Sequence, residues 1–207
     1  MSSRPWPRML LWMTLVVLPS AALSRIHPHD PLTWILEIFP VAIVLPLLYL
    51  TAKRFPLTPL LYALIGVHCL ILIVGAHYTY ARVPLGFWVQ DALDLSRNHY
   101  DRLGHFAQGF VPAIAVREIL IRTSPVKAGG WLAFLTVATC LAISATYEFV
   151  EWWTALAAGV AADQFLATQG DIWDTQWDMF MALCGASVAL LLLSRVHDRA
   201  LARMRAA

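Results

Sequence analysis

Six apolar stretches, each parted from the next by proline or charge, dominate the chain. They run over residues 9–24, 31–51, 57–76, 101–121, 131–153 and 174–194. A helix needs about 20 mainly apolar residues to cross the hydrocarbon core of a bilayer, so these lengths predict transmembrane helices. Composition argues against an ordinary soluble domain. Of 207 residues, 59% are hydrophobic and 14% charged, against roughly 25% charged in soluble domains. Residues 1–207 therefore read as a single integral membrane domain with no room for a second, soluble one. The expected fold class is all-α, a polytopic transmembrane bundle of about six helices. Pro40, Pro46 and Pro112 fall inside segments and are expected to kink them, which a bilayer helix tolerates where neighbours satisfy the freed carbonyls.

Arg4 and Arg8 precede the first stretch, and Pro19-Ser20-Ala21-Ala22 near its end resembles a small-residue cleavage site. A secretory signal peptide has this form. An uncleaved first helix is the reading taken, since the chain continues directly into further spans. Cys69, Cys140 and Cys184 each lie inside an apolar stretch without CxxC or Cys/His zinc spacing. No disulfide and no structural zinc are expected.

Basic residues orient the bundle. With the N-terminus inside, the inner segments hold Arg4, Arg8, Lys53, Arg54, Arg117, Arg122, Lys127, Arg195, Arg199, Arg203 and Arg205. The outer segments hold only Arg25, Arg82, Arg97 and Arg102. Both termini are thus expected in the cytoplasm. The acids mirror this pattern. Glu118 and Asp198 fall inside, whereas Asp30, Glu37, Asp91, Asp94, Asp101, Glu148, Glu151, Asp163, Asp171, Asp174 and Asp178 fall on the outer side. Acidic residues contribute little to topology, so their skew needs another cause.

Several of these acids lie on defined helical faces. Asp101, His105, Gln108 and Pro112 recur at i, i+4, i+7 and i+11 and share one face of the fourth helix. Glu148 and Glu151 share a face at the end of the fifth, extended inward by Ser144 and Tyr147. Two carboxylates at a helix C-terminus oppose the macrodipole and repel each other. Arg97, Arg102, His105 or a metal ion would have to compensate them. Asp171, Asp174 and Asp178 share a face at the start of the sixth, with Asp171 expected as a cap. Trp152, Trp153, Trp173 and Trp177 suit an interfacial aromatic belt. His68, deep in the third span, reads as a hydrogen-bonded packing histidine. His77 and His99 lie near the outer mouth, within reach of the site. His27-Pro28-His29-Asp30, with Glu37 about two turns later, forms another outer cluster.

Intramembrane ionisable residues usually face the bundle interior and mark function. A histidine among carboxylates is a hard N/O ligand set that suits Zn, Mn or Fe. Without a metal, the same groups serve acid/base work, proton relay or binding of a cation. There is no HExxH, GxSxG, Walker lysine loop or GxGxxG. The scattered basic residues suit anionic lipid headgroups at the inner membrane edge, and nucleic-acid binding is not expected.

The strings Ile26-His27-Pro28-His29-Asp30, Phe55-Pro56-Leu57-Thr58-Pro59-Leu60, Ser96-Arg97-Asn98-His99-Tyr100-Asp101-Arg102, Gly104-His105-Phe106-Ala107-Gln108-Gly109-Phe110 and Trp173-Asp174-Thr175-Gln176-Trp177-Asp178 resemble the YjdF family of bacterial inner-membrane proteins. The resemblance covers nearly the whole chain after the first span. It implies location and topology, not a mechanism. The C-terminal half is also similar to VanZ-like membrane proteins, through Asp101-Arg102-Leu103-Gly104-His105-Phe106, then Glu148 with Glu151, then Asp178 with Gly185. It departs from them at Ala182, where those proteins often carry asparagine. That family is linked to glycopeptide (teicoplanin) resistance.

The expectation is a multi-pass protein of the bacterial inner membrane with a His/carboxylate site at its periplasmic face. Asp101, His105, Glu148 and Asp178 are the expected catalytic or metal-binding residues. Glu151, Asp174, Gln108, Arg102, His77 and His99 are expected around them. Metal-assisted hydrolysis or transfer on an envelope or lipid-linked substrate is one reading. A small transporter or proton-coupled carrier is a second, and an accessory membrane subunit without catalysis a third. A carrier would want charges deeper in the membrane and a path to the inner side.

Overall fold

The computed structural model describes residues 5–158 and 166–206. Arg4 and Asp163 lie outside the described residues. Among those described there are seven α-helices and no strands. They are α1 (Pro5–Ser24), α2 (Pro31–Thr51), α3 (Pro59–Tyr78), α4 (Pro84–Ala92), α5 (Tyr100–Thr123), α6 (Gly130–Ala158) and α7 (Asp174–Ala206), with a short 3-10 turn at Tyr80–Arg82.

Local chemistry sets several boundaries. Proline stands in the first turn of α2, α3 and α4, where its missing N–H costs nothing. Asp30 caps α2 by accepting from the Thr33 N–H at 2.6 Å, and that bond holds its carboxyl below the usual range. Thr58 caps α3 through the Leu61 N–H at 3.3 Å. Two elements depart from the expected segments. The polar stretch before the fourth span contains the nine-residue helix α4. The last helix runs to Ala206 rather than ending near 194. Its C-terminal part is amphipathic: His197 and Leu201 are buried, whereas Arg199 and Arg203 are exposed.

Five helices, α1, α2, α3, α6 and α7, are long and apolar enough to span a membrane. Their outer surfaces carry large hydrophobics such as Leu191, 83% exposed, and Leu50, 79% exposed. A water-facing surface of that kind is unfavourable, whereas lipid makes it neutral. The remaining expected span, the fourth, is α5, which has the length for a crossing at 24 residues but is too polar for lipid. Instead it lies at the centre of the bundle, packed by α3, α6 and α7. Its charged side chains Asp101, Arg117 and Glu118 are buried against those neighbours.

The tightest crossing is α5 on α7. A Cβ at Gly109 would collide with the Ala182 carbonyl, and one at Gly185 with the Phe106 carbonyl. Small residues at such a crossing let two backbones touch, which drives helix association in lipid. α1 and α2 both pack on α3. Around their contact lies the apolar core of Leu10, Val17, Val41, Leu45, Leu61 and Ile114.

The 79–99 segment folds over one end of the bundle. Asn98 donates to the Val83 carbonyl at 3.0 Å and exchanges hydrogen bonds with Gln169. Arg97 donates to the carbonyls of Thr168 at 2.8 Å and Ala167 at 3.3 Å. The Ser96–Asp101 string therefore ties two loops together. Thr79, fully buried with φ 62, is a β-branched residue in left-handed backbone. Such a residue stores strain. The turn it makes seats the Tyr80 ring against Gly75 and Gly104, neither of which has room for a Cβ.

Candidate functional site

α5 carries a buried polar cluster at each end, and the two differ in kind. At its C-terminal end Glu118 is wholly buried and fully partnered. It accepts from the Thr58 N–H at 3.0 Å and the Thr58 hydroxyl at 2.8 Å. It also pairs with Arg122 at 2.7 Å and His197 Nε2 at 3.0 Å. His197 Nδ1 meets Arg117 at 2.9 Å, and Arg117 pairs with Asp198 at 2.7 Å. Every group has its counterpart, and the network ties α3, α5 and α7 together. A satisfied buried network of this sort specifies structure.

At the N-terminal end the polar groups converge without satisfying each other. Asp101, His105 and Asp178 bring one ligand atom each within 4.8 Å of one another, as do His105, Glu148 and Glu151. His105 Nε2 is 3.7 Å from Asp101 Oδ1, and its Nδ1 is 3.7 Å from Glu148 Oε1. Both separations are too long for hydrogen bonds. His105 Nδ1, Glu148 Oε1, Asp178 Oδ1, Ser144 Oγ and Gln108 Oε1 are buried with no hydrogen-bond partner among the described residues. Orphaned buried polar atoms are rare in proteins, and each calls for an explanation.

The helices deliver these groups by simple periodicity. Asp101, His105 and Gln108 line one face of α5; Ser144, Glu148 and Glu151 line one face of α6; Asp174 and Asp178 descend α7 by one turn. The Gly109–Ala182 contact brings α7 close enough for Asp178 to approach His105.

The remaining expected residues are distributed as follows. Asp171 is not a helix cap: α7 starts at Asp174, and Asp171 Oδ1 accepts from the Trp173 N–H at 2.9 Å in a turn. Asp101 lies inside the first turn of α5, after His99, and is buried. Arg97 pairs with Asp174 at 2.8 Å, and Arg102 pairs with Asp171 at 2.7 Å. Neither arginine pairs with Glu148 or Glu151. The Arg102 guanidinium lies 4.9 Å from the Trp177 ring centre, so that tryptophan holds a cation as well as an interfacial position. His77 meets the Ser24 carbonyl at 2.9 Å and ties α3 to the end of α1, away from the cluster. His99 precedes α5 with its Nδ1 unpartnered. Burial, then Arg102 and Arg97, hold it below the usual histidine range.

A cavity of about 230 Å³ adjoins the cluster. Asp101, His105, Gln108 and Glu151 line it, together with Glu37, Tyr80, Tyr147 and His68. Glu37 was legible only as part of an outer group with His27–Asp30. Its place in the chamber depends on how α2 lies beside α3. The sequence signal was a lone carboxylate within an apolar helix. His68 is not the hydrogen-bonded packing histidine expected, since its Nε2 is buried without a partner and faces the cavity. Pro40 and Pro112 also line this space, so two of the three helix-interior prolines of α2 and α5 fall beside it.

A family model described as "Predicted membrane protein (DUF2238)" matches residues 9–199. The chain is 55% identical over 193 residues to "Inner membrane protein YjdF" of Escherichia coli (strain K12), covering 93% of this chain and 90% of that protein. No solved structure matches. The likeness to VanZ-like proteins rests on the residues quoted for it alone. Length, helix pattern and these matches agree: the chain belongs to the DUF2238 family and is a multi-pass protein of the bacterial inner membrane.

Proposed function

We propose that the cluster at the N-terminal end of α5 is a divalent-metal site at the periplasmic face, serving hydrolysis or transfer on an envelope or lipid-linked substrate. One observation carries the reading: Asp101, His105, Glu148 and Asp178 gather at one place, and His105, Glu148 and Asp178 each have a buried atom without a hydrogen-bond partner among the described residues. A cation held by either triad, Asp101/His105/Asp178 or His105/Glu148/Glu151, would take up the orphaned atoms of its own ligands and offset the repulsion among the carboxylates. The N/O donor set suits Zn, Mn or Fe. Such a metal would lower the pKa of a bound water and polarise a phosphoryl or carbonyl oxygen. Glu151, Gln108 and Asp174 would orient the ligands and substrate.

The basic residues near the other end of α5 and along the last turns of α7 support the periplasmic placement. Transport fits less well, because the Glu118 network is closed by mutual pairing and offers no open path to the inner side. An accessory role without catalysis would leave the unpartnered buried atoms unexplained.

The test is metal content by mass spectrometry on detergent-purified protein, beside His105→Ala and Glu148→Ala. Near-stoichiometric metal in the wild type, lost in both variants, is the expected result. A folded, metal-free wild type purified without chelator would sink the metal reading.

A further inference from the structure

Among the described residues, no helix-to-helix packing closes the cavity between α2 and α6. α2 supplies Glu37 and Pro40 to its wall, and α6 supplies Ile143, Tyr147 and Glu151. Yet α2 packs on α3, whereas α6 packs on α5 and α7; α2 and α6 share no packed interface. In a bilayer, a gap between two spanning helices opens onto lipid. A shallow, open apolar groove along the face of α6 begins at this gap. Thr139, Ala142, Ile143, Thr146, Tyr147 and Val150 line about 380 Å³ on the face of α6, and Ile143 and Tyr147 border both spaces. A polar chamber continuous with an apolar groove fits an amphiphile, its head in the one and its chain along the other.

The charge of the chamber selects the head. Glu37 on α2 and Glu151 on α6 stand on the two walls of the gap, and among the described residues neither is in an ion pair. His105, only 5% exposed, lines the same chamber with its Nδ1 unpartnered. An anionic head would meet carboxylates on both sides. A primary ammonium brings three donors and a positive charge, and neither of these carboxylates has a cation paired to it among the described residues. We propose that the gap between α2 and α6 is a lateral binding site for a membrane lipid bearing a primary amine. Its ammonium lies between Glu37 and Glu151, and one acyl chain follows the groove on α6. Glu37 lies outside both metal-ligand groups but Glu151 belongs to one of them, so the lipid site is tested with metal removed.

The experiment uses full-length protein, delipidated in detergent and treated with EDTA so that metal content plays no part. It is titrated with dioctanoyl phosphatidylethanolamine and, separately, dioctanoyl phosphatidylglycerol, with native mass spectrometry as the readout. The amine lipid is expected to bind at least about tenfold more tightly, the weight of a charge-assisted hydrogen bond. The Glu37→Gln/Glu151→Gln double variant should lose that preference. Ile143→Trp, on a lipid-facing position that tolerates bulk, should weaken both lipids by filling the groove. Equal binding of the two lipids to the wild type overturns the proposal. So does a preference that survives in the double variant, or lipid binding unaffected by Ile143→Trp. If the double variant fails to fold, the wild-type comparison and Ile143→Trp decide the matter alone.

Discussion

Buried carboxylates play two opposite parts on α5 and its neighbours. Glu118 is held by four groups from three helices, whereas Glu148 has an orphaned oxygen in a crowd of like charges. The energetic consequences are therefore opposite. Glu118→Ala leaves His197, Arg122 and Thr58 without their acceptor and should cost about 3–5 kcal/mol, read as a large fall in the unfolding midpoint in detergent. Glu148→Gln relieves repulsion and should leave the midpoint unchanged or raise it, as often happens at functional sites. A Glu118→Ala protein as stable as wild type would show that the network does not hold the bundle. Periodicity made Asp101, His105, Glu148 and Asp178 legible in the sequence, because i+3 and i+4 spacing is a local property. Glu37, His68 and Tyr80 were not legible as chamber residues, since each stands alone on its own segment and reaches the space only through packing.

At the level of helices, α5 and α7 form the contact on which the cluster's geometry rests. Gly109 and Gly185 have no space for a side chain there. Gly109→Val must push α7 away and should destabilise the protein by at least about 1–3 kcal/mol. By moving Asp178 from His105, it should also lower metal content. Gly130→Ala, where nothing lies within 4 Å, is the matched control and should be neutral. An unchanged midpoint and metal content in Gly109→Val would mean that the crossing is loose. The apolar runs predicted the helices themselves well, and α2 occupies its expected 31–51. α4 was missed because its nine residues sit in a polar stretch. The extension of α7 was missed because its apolar side there is narrow and covered by α3 and α5, not by lipid.

Across the whole molecule, the distribution of charge predicts that the bundle inserts with its termini inside. Single cysteines test this in cells, on a background where Cys69, Cys140 and Cys184 are replaced by serine or alanine. Ser96→Cys, beside the site, should react with a membrane-impermeant maleimide from outside. Lys53→Cys, on the opposite end, should react only after the membrane is opened. The reverse pattern would place the His/carboxylate site at the cytoplasmic face and remove envelope substrates from consideration. Hydropathy and the positions of lysine and arginine are properties of each segment against the bilayer and the cytoplasm. They therefore determine, without any fold, that this chain is helical, spans the membrane several times and carries acids toward one end. Which helix becomes the centre is another matter. Among the described long helices α5 alone lacks a stretch apolar enough to span lipid by itself, and it becomes a core element because its neighbours replace lipid around its charges. Tertiary packing likewise decided that Glu118 is satisfied and His105 is not, and that α2 and α6 stand apart beside a shared cavity. Those outcomes depend on contacts between residues far apart in the chain, and no local pattern encodes them.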